Sequence, residues 1–363
     1  MTSILHRLRQ EPLFLITLLL SILTAFWSAP RWSVIDWKVI LSLFNLMTVL
    51  LAMEDLRLLD AASVRLLRRY RQERVVSLAL IALTFCSSML ITNDVALLTF
   101  VPLTIVVARR AGFNPCYLVI LQTLAANLGS SLTPMGNPQN LFLYARFQIS
   151  TSRFLLTTAP MVLLGALWML LLSYRIPKRD LQFDLERVTV KDQRRLVVYA
   201  LLFLAVLLSI LRVLPYQLVS ALTIGVVLLW DRRLLPRVDY FLLGTFICFF
   251  LFIDNLTRIP AISSYMQSLL STPGRTYLIG AALAQGISNV PSAIMLAGFT
   301  THWPALLLGV NVGGLGTLIA SLASVISYRL YAKAYPGSSY LGRFHLLSFF
   351  SLLLLGAITY LLV

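Results

Sequence analysis

ANLGSSLTPMGNPQNLFLY, residues 126–144, is apolar and helix-like at both ends and something else in its middle. There Gly129, Pro134, Gly136 and Pro138 stand among Ser130, Ser131, Thr133, Asn137, Gln139 and Asn140. A helix interior loses roughly 1 kcal/mol at a glycine and about 3 kcal/mol at a proline, so no single helix runs through all four. The stretch reads as a membrane helix over residues 117–144 that unwinds halfway. Open backbone at membrane depth survives only when packed in protein or lining a wet cavity. In carriers that is where solutes and ions are held.

Composition agrees with a membrane setting. The chain has 363 residues, of which 59% are hydrophobic and only 12% charged, and its mean hydropathy is +0.85. A soluble domain has more surface than so few charges can cover. The reading is an all-α, polytopic inner-membrane protein with no room for a separate soluble domain. Cys86, Cys116 and Cys248 lie in apolar segments without CxxC spacing, and His6, His302 and His345 stand far apart. Neither set asks for a disulfide or a transition-metal site. No HExxH, P-loop or clustered acids appear, which argues against an enzyme and against direct ATP drive.

In chain order, spans fall at residues 13–27, 37–53, 117–144, 154–174, 196–212, 216–230, 240–253, 305–330 and 345–362, about nine transmembrane helices. Residues 56–72 place Leu59, Ala62, Leu66 and Tyr70 opposite Arg57, Arg65, Arg68 and Arg69, as an interfacial helix does, with Asp55 as its N-cap. A second amphipathic segment carries Ile259, Ile262, Met266 and Leu269. Residues 75–108 are broken at Thr92-Asn93-Asp94, and residues 277–299 at Ser288-Asn289. Two full crossings with Asn93-Asp94 as an exposed loop are one reading; arginines on both sides of the first pair (Arg71, Arg74; Arg109, Arg110) favour a re-entrant hairpin.

The order repeats. VIDW at 34–37 matches VDY at 238–240, and Glu54-Asp55 matches Asp254-Asn255. The interrupted helices align from Asn127 onto Asn311, which sets Gly129 with Gly313, Thr133 with Thr317, Asn137 with Ser321 and Asn140 with Ser324. The first repeat covers residues 13–175 and the second 215–363, with a cytoplasmic loop and one linker helix in 176–214 between them. A single crossing between two such units inverts the second, the arrangement of alternating-access carriers. With the N-terminus cytoplasmic and the C-terminus opposite, only Arg31, Lys38, Arg146, Arg153, Arg212, Arg258 and Arg275 of the 30 Lys and Arg residues fall outside. The formal charge of +16 is therefore mainly orientation. It points to the lipid bilayer as partner, not to nucleic acid.

TNDVALLTFVPL (92–103), NLGSSLTPMGNPQNL (127–141), SNVPSAIML (288–296), VNVGG (310–314) and RFHLLS (343–348) resemble signatures of the ion transporter superfamily, which includes arsenite, citrate and Na+/dicarboxylate permeases. The similarity is nearest to YbiR-type anion permeases and runs over nearly the whole chain. It implies a scaffold and a transport domain that moves as an elevator, the latter holding both hairpins, the broken helices and the spans at 154–174 and 345–362. It also allows a homodimer through the scaffold helices. The chain departs from the carboxylate branch, which carries Ser-Asn-Thr at both tips, and Asp94 is more like the arsenite branch.

Each hairpin tip and each unwound loop exposes carbonyls ending one half-helix and N–H groups opening the next. Carbonyl ends can coordinate Na+, and N-terminal ends can face an anion. One expected cation site joins Thr92, Asn93 and Asp94 to Gly129, Ser130, Gly136 and Asn137. The other joins Ser288 and Asn289 to Gly313, Gly314 and Ser321. A small inorganic or organic anion is expected between them, at Asn93, Asn137, Asn289, Thr133, Thr317 and Ser292. Asp94 has no acidic counterpart, because Val290 follows Asn289. A carboxylate at mid-membrane costs on the order of 2.5–3.5 kcal/mol and needs a partner or a proton, which makes Asp94 the expected coupling residue. No cofactor beyond Na+ or H+ is expected. A cation/proton antiporter of the same fold and a uniporter or efflux permease for arsenite-like solutes remain alternatives.

Overall fold

The computed structural model describes residues 11–67, 70–181, 188–190 and 192–363. Of the residues named above, His6, Arg68 and Arg69 lie outside it, as does the side chain of Leu66. The described residues form helices and turns, with no named strand. We label the α-helices α1 (Pro12–Ala25), α2 (Trp37–Asp55), α3 (Leu58–Leu67), α4 (Glu73–Ile91), α5 (Asn93–Ala111), α6 (Cys116–Ser130), α7 (Pro138–Arg146), α8 (Thr151–Ser173) and α9 (Gln193–Ile210). The rest are α10 (Tyr216–Trp230), α11 (Tyr240–Thr257), α12 (Pro260–Leu269), α13 (Pro273–Ile287), α14 (Asn289–Ala297), α15 (Trp303–Gly313), α16 (Leu322–Ala334) and α17 (Tyr340–Tyr360). Six of them, α2, α4, α8, α9, α11 and α17, are long and apolar enough to cross a bilayer.

Both interruptions are present. α6 stops at Ser130 and α7 starts at Pro138, where proline suits a first turn that needs no N–H. α15 stops at Gly313, a short 3-10 turn covers Leu318–Ala320, and α16 starts at Leu322. The expected ranges 117–144 and 305–330 become Cys116–Arg146 and Trp303–Ala334. The matched VIDW and VDY stretches have one physical job. The Asp36 carboxylate accepts from the N–H groups of Lys38 and Val39, and Asp239 accepts from that of Leu242, so each caps the helix that follows.

The hairpins differ in reach. α4 and α5 have 19 residues each, about 28 Å, whereas α13 and α14 have 15 and 9, about 22 and 14 Å. Each first arm packs on the opening half of its own interrupted helix, α4 on α6 and α13 on α15. Each second arm crosses over: α5 packs on α16, and α14 on α7. Glycine makes the first contacts close. A Cβ on Gly129 would stand 2.2 Å from the Phe85 carbonyl oxygen, and one on Gly313 would stand 2.9 Å from Ala284.

One core joins α2, α9, α10 and α11 to the facing sides of α7 and α14. A second unites α4, α5, α6, α8, α15, α16 and α17, while α1 lies on α11. Two readings of residues 54–72 need correction. Asp55 is the last residue of α2 rather than the cap of the next helix, and it pairs with Arg237 at 2.6 Å. The amphipathic helix is the short α3, and Gln72, just ahead of α4, is extended. There Glu73 N–H donates to Arg179 C=O and Leu181 N–H to Arg71 C=O, clasping the loop after α8 to the base of the first hairpin.

Candidate solute site at the paired interruptions

The hairpin tips are built alike. A single residue joins the two arms in each, Thr92 at φ 71° and ψ 151°, and Ser288 at φ 78° and ψ 155°. This region is almost confined to glycine, so two side-chain-bearing residues in it mark backbone held by its surroundings. Those surroundings are the unwound loops. Asn93 N–H donates to Gly136 C=O at 3.0 Å, and the Ser288 hydroxyl reaches Ala320 C=O at 3.5 Å. The Thr133 hydroxyl donates to Met89 C=O, and that of Thr317 to Gln285 C=O at 2.8 Å. In both halves the tip donates to a loop carbonyl, by a backbone N–H in the first and a hydroxyl in the second, and a loop threonine donates back to the hairpin.

The loops are tied to each other by a crossed exchange of buried amides. From the first half, Asn127 Nδ2 donates to Ser324 Oγ (3.3 Å) and Gly314 C=O (3.4 Å), and Asn127 Oδ1 accepts from the Ser321 hydroxyl (2.9 Å). From the second half, Asn311 Nδ2 donates to Asn140 Oδ1 (2.7 Å), and Asn311 Oδ1 accepts from Asn137 Nδ2 (3.2 Å). Under the register that sets Asn127 on Asn311, these are equivalent bonds run in opposite directions. Backbone groups fix the amide orientations: Asn140 N–H must donate to Asn137 Oδ1, and Leu307 C=O must accept from Asn311 Nδ2.

Every residue expected in the site lies at or beside this junction. Gly129 and Gly313 are its close-packing points, and Gly136 accepts from the first tip. Gly314 lies against Asn289, whose Nδ2 is 3.0 Å from where a Gly314 Cβ would be. Ser130 Oγ accepts from Asn137 Nδ2, and Ser292 donates to Ser288 C=O within the second tip. Thr133 and Thr317 point instead to hairpin carbonyls, as loop anchors. Asp94 is half-buried; its N–H is held by Asn93 Oδ1 at 3.0 Å, and its carboxylate has no ion pair among the described residues.

The two tip asparagines are not equivalent. Asn93 is engaged throughout: Nδ2 donates to Asn127 Oδ1 at 3.1 Å, Oδ1 accepts from Asp94 N–H, and its backbone N–H is taken by Gly136. Asn289 Oδ1 accepts from the Ser288 hydroxyl at 3.3 Å, while its NH2 has no bond within the described residues. Loop carbonyls differ too. Asn140 Nδ2 gathers those of Ser130, Ser131 and Thr133 at 3.1–3.3 Å, and its counterpart is Ser324. The second loop is braced from the hairpin by Gln285, which donates to Gly313 C=O at 2.7 Å and accepts from Thr317 N–H at 2.9 Å.

Asn127, Asn311, Asn140, Ser324 and Gln285 were missing from the expected site. Asn311 had a readable signal, being the lone amide in the apolar helix WPALLLGVNVG, and Asn127 had it as the matched position, although it shares CYLVILQTLAANLGS with Gln122. Gln285 had none, because its counterpart is Met89.

The comparisons with known proteins bear on what such a junction serves. A protein-family model described as citrate transporter matches residues 4–306. An uncharacterized transporter of Methanocaldococcus jannaschii is 35% identical over 333 residues, 91% of this chain and 87% of that protein. The inner membrane protein YbiR of Escherichia coli is 34% identical over 299 residues, 82% of this chain and 80% of its own. A Dictyostelium discoideum protein named putative transporter arsB is 25% identical over 150 residues, 41% of this chain and 27% of that protein.

Proposed function

This chain belongs to the citrate transporter family, and from that premise we propose that it is a secondary active carrier of a small anion, driven by a Na+ or H+ gradient. That it is a multi-pass transporter and not an enzyme follows from the family and the apolar helices. The name of the E. coli relative favours the inner membrane. We read the two halves as inverted repeats, with the hairpins, interrupted helices, α8 and α17 as the moving body. Helices α1, α2, α9, α10 and α11 form the scaffold it slides against. The separate packing of the second core supports this division.

One observation carries the proposal. Two interrupted helices and two hairpin tips converge on one buried polar junction, where the Asn289 NH2 and the backbone N–H groups of Asn289 and Val290 have no bond among the described residues. An anion held there replaces water with N–H groups, and the coupling ion supplies the positive charge that lets the loaded site cross. Asp94 takes that ion, or a proton, on its unpaired carboxylate. The same carboxylate favours a second reading, a cation/proton exchanger with no anion.

Thermal stability of the purified protein in detergent, screened against phosphate, sulfate, arsenite, citrate and dicarboxylates with and without Na+ and across pH, separates them. The carrier reading expects one anion class to stabilise, and to do so more strongly with Na+ or at low pH. Counterflow of that anion should follow in proteoliposomes. Stabilisation by cation or pH alone, with no anion effective, overturns the carrier reading and leaves the exchanger.

A further inference from the structure

The crossed exchange is symmetric between the loops but not between the tips. Asn127 bonds to the first tip, through Asn93 Nδ2, and to the second loop, through Ser321 and Ser324. Among the described residues, Asn311 bonds to the first loop and to its own helix, and not to Asn289. The geometry points to Asn127 as a positioning residue that passes the state of the second loop to the first hairpin tip, with no return path from the first loop to the second tip. Asn127 is 5% exposed and Asn93 4%, so each amide takes its partners from within the protein.

The chain of cause is short. Ser321 donates to Asn127 Oδ1, the same atom that receives Asn93 Nδ2. The bond from Asn127 orients the Asn93 amide, whose Oδ1 then holds Asp94 N–H. Any solute that draws the Ser321 hydroxyl or the Gly314 carbonyl toward itself changes what Asn127 offers Asn93. The backbone that carries Asp94 follows. In the carrier proposed above, on which this step rests for its purpose, occupancy of one half is thereby felt at the ionisable group of the other.

Hydrogen–deuterium exchange of the full chain in detergent tests the relay without needing the solute. Ser321→Ala is expected to speed exchange in peptides covering residues 92–97 about fivefold, the loss of one ordinary hydrogen bond. Asn137→Ala, the mirror change, removes the donor to Asn311 Oδ1 and leaves residues 288–293 at the wild-type rate, and a Thr317→Ala control at the edge of the second loop leaves residues 92–97 unchanged. Equal effects at both tips, or no change at residues 92–97 in Ser321→Ala, overturn the relay whatever the protein carries. With an anion identified, its Kd with and without coupling ion gives a second readout. Asn127→Ser should bring an approximately tenfold dependence close to one, and wild-type dependence in that variant sinks the proposal. An absence of anion binding in the wild type overturns the carrier reading, while the exchange result still decides the relay.

Discussion

The two tip-and-loop halves share a backbone outline and differ in what braces it. In the first, three loop carbonyls converge on the Asn140 amide, the tip asparagine is bonded at both ends of its amide, and a carboxylate follows it. In the second, the brace comes from the hairpin through Gln285, and the tip asparagine keeps a spare NH2. The first half is therefore a stiff frame carrying one ionisable group, and the second a neutral cradle with donors to spare. The lesson is that repeat symmetry here constrains shape, while chemistry is distributed unequally.

The largest test of shared shape is at the close-packing glycines. Gly129→Ala forces a Cβ to within 2.2 Å of a carbonyl oxygen on α4, which only separation of the two helices relieves. The expected loss is about 3 kcal/mol of stability, read as a lower melting temperature and poor recovery from size exclusion. Gly313→Ala meets alanine atoms at 2.9 Å, so its loss is the smaller of the two. The reverse order would mean that the second hairpin, not the first, is the tighter body.

Next is the brace found in only one half. Gln285→Ala strands Thr317 N–H and Gly313 C=O and opens space over Gly316, whose φ of 103° keeps that loop in a conformation suited to glycine. About 2 kcal/mol is expected, because buried partners are left unpaired. Met89→Ala at the equivalent position keeps the backbone carbonyl that Thr133 uses and is the milder change. Equal melting temperatures would remove the distinction between the braces.

These contrasts also show what the linear sequence holds. Interruptions announce themselves because proline and glycine have local costs, and Pro134, Gly136 and Pro138 place the first break within a residue or two. Asp36 and Asp239 were readable as matched positions because capping is local as well. Which amide serves which carbonyl was not readable, since the partner of Asn127 is Ser321 and that of Asn311 is Asn140, both far along the chain. Hairpin reach was only half legible. Arginines bound α5 at Arg109 and Arg110, but nothing in 277–299 says that the helix begins at Pro273.

A third test concerns charge. Asp94→Asn keeps the N–H that Asn93 holds and removes the one ionisable group at either tip. Anion transport in proteoliposomes is expected to fall about tenfold, near 1.4 kcal/mol, and to lose its dependence on the driving cation or on pH. Transport that keeps the full dependence would move coupling to the neutral half.

The smallest expected effect reaches the feature the halves share most closely. Thr92 and Ser288 sit at φ 71° and 78° with ψ near extended values, a region that costs of order 1–3 kcal/mol for a residue with a side chain. Glycine removes that cost and forfeits roughly 0.5–1 kcal/mol through the freer unfolded chain. It also deletes weak bonds: Val95 N–H to Thr92 Oγ1 at 3.5 Å, and the Ser288 hydroxyl to Asn289 Oδ1 at 3.3 Å. Thr92→Gly should thus gain up to about 1 kcal/mol, since a β-branched residue is the more crowded there. Ser288→Gly should be near neutral in stability. In Ser288→Gly, however, Asn289 Oδ1 loses its one donor and the amide is free to turn, so anion affinity falls although stability does not. A melting temperature lowered by both changes would show that the tip conformation is set by side-chain bonds rather than imposed by the loops beneath.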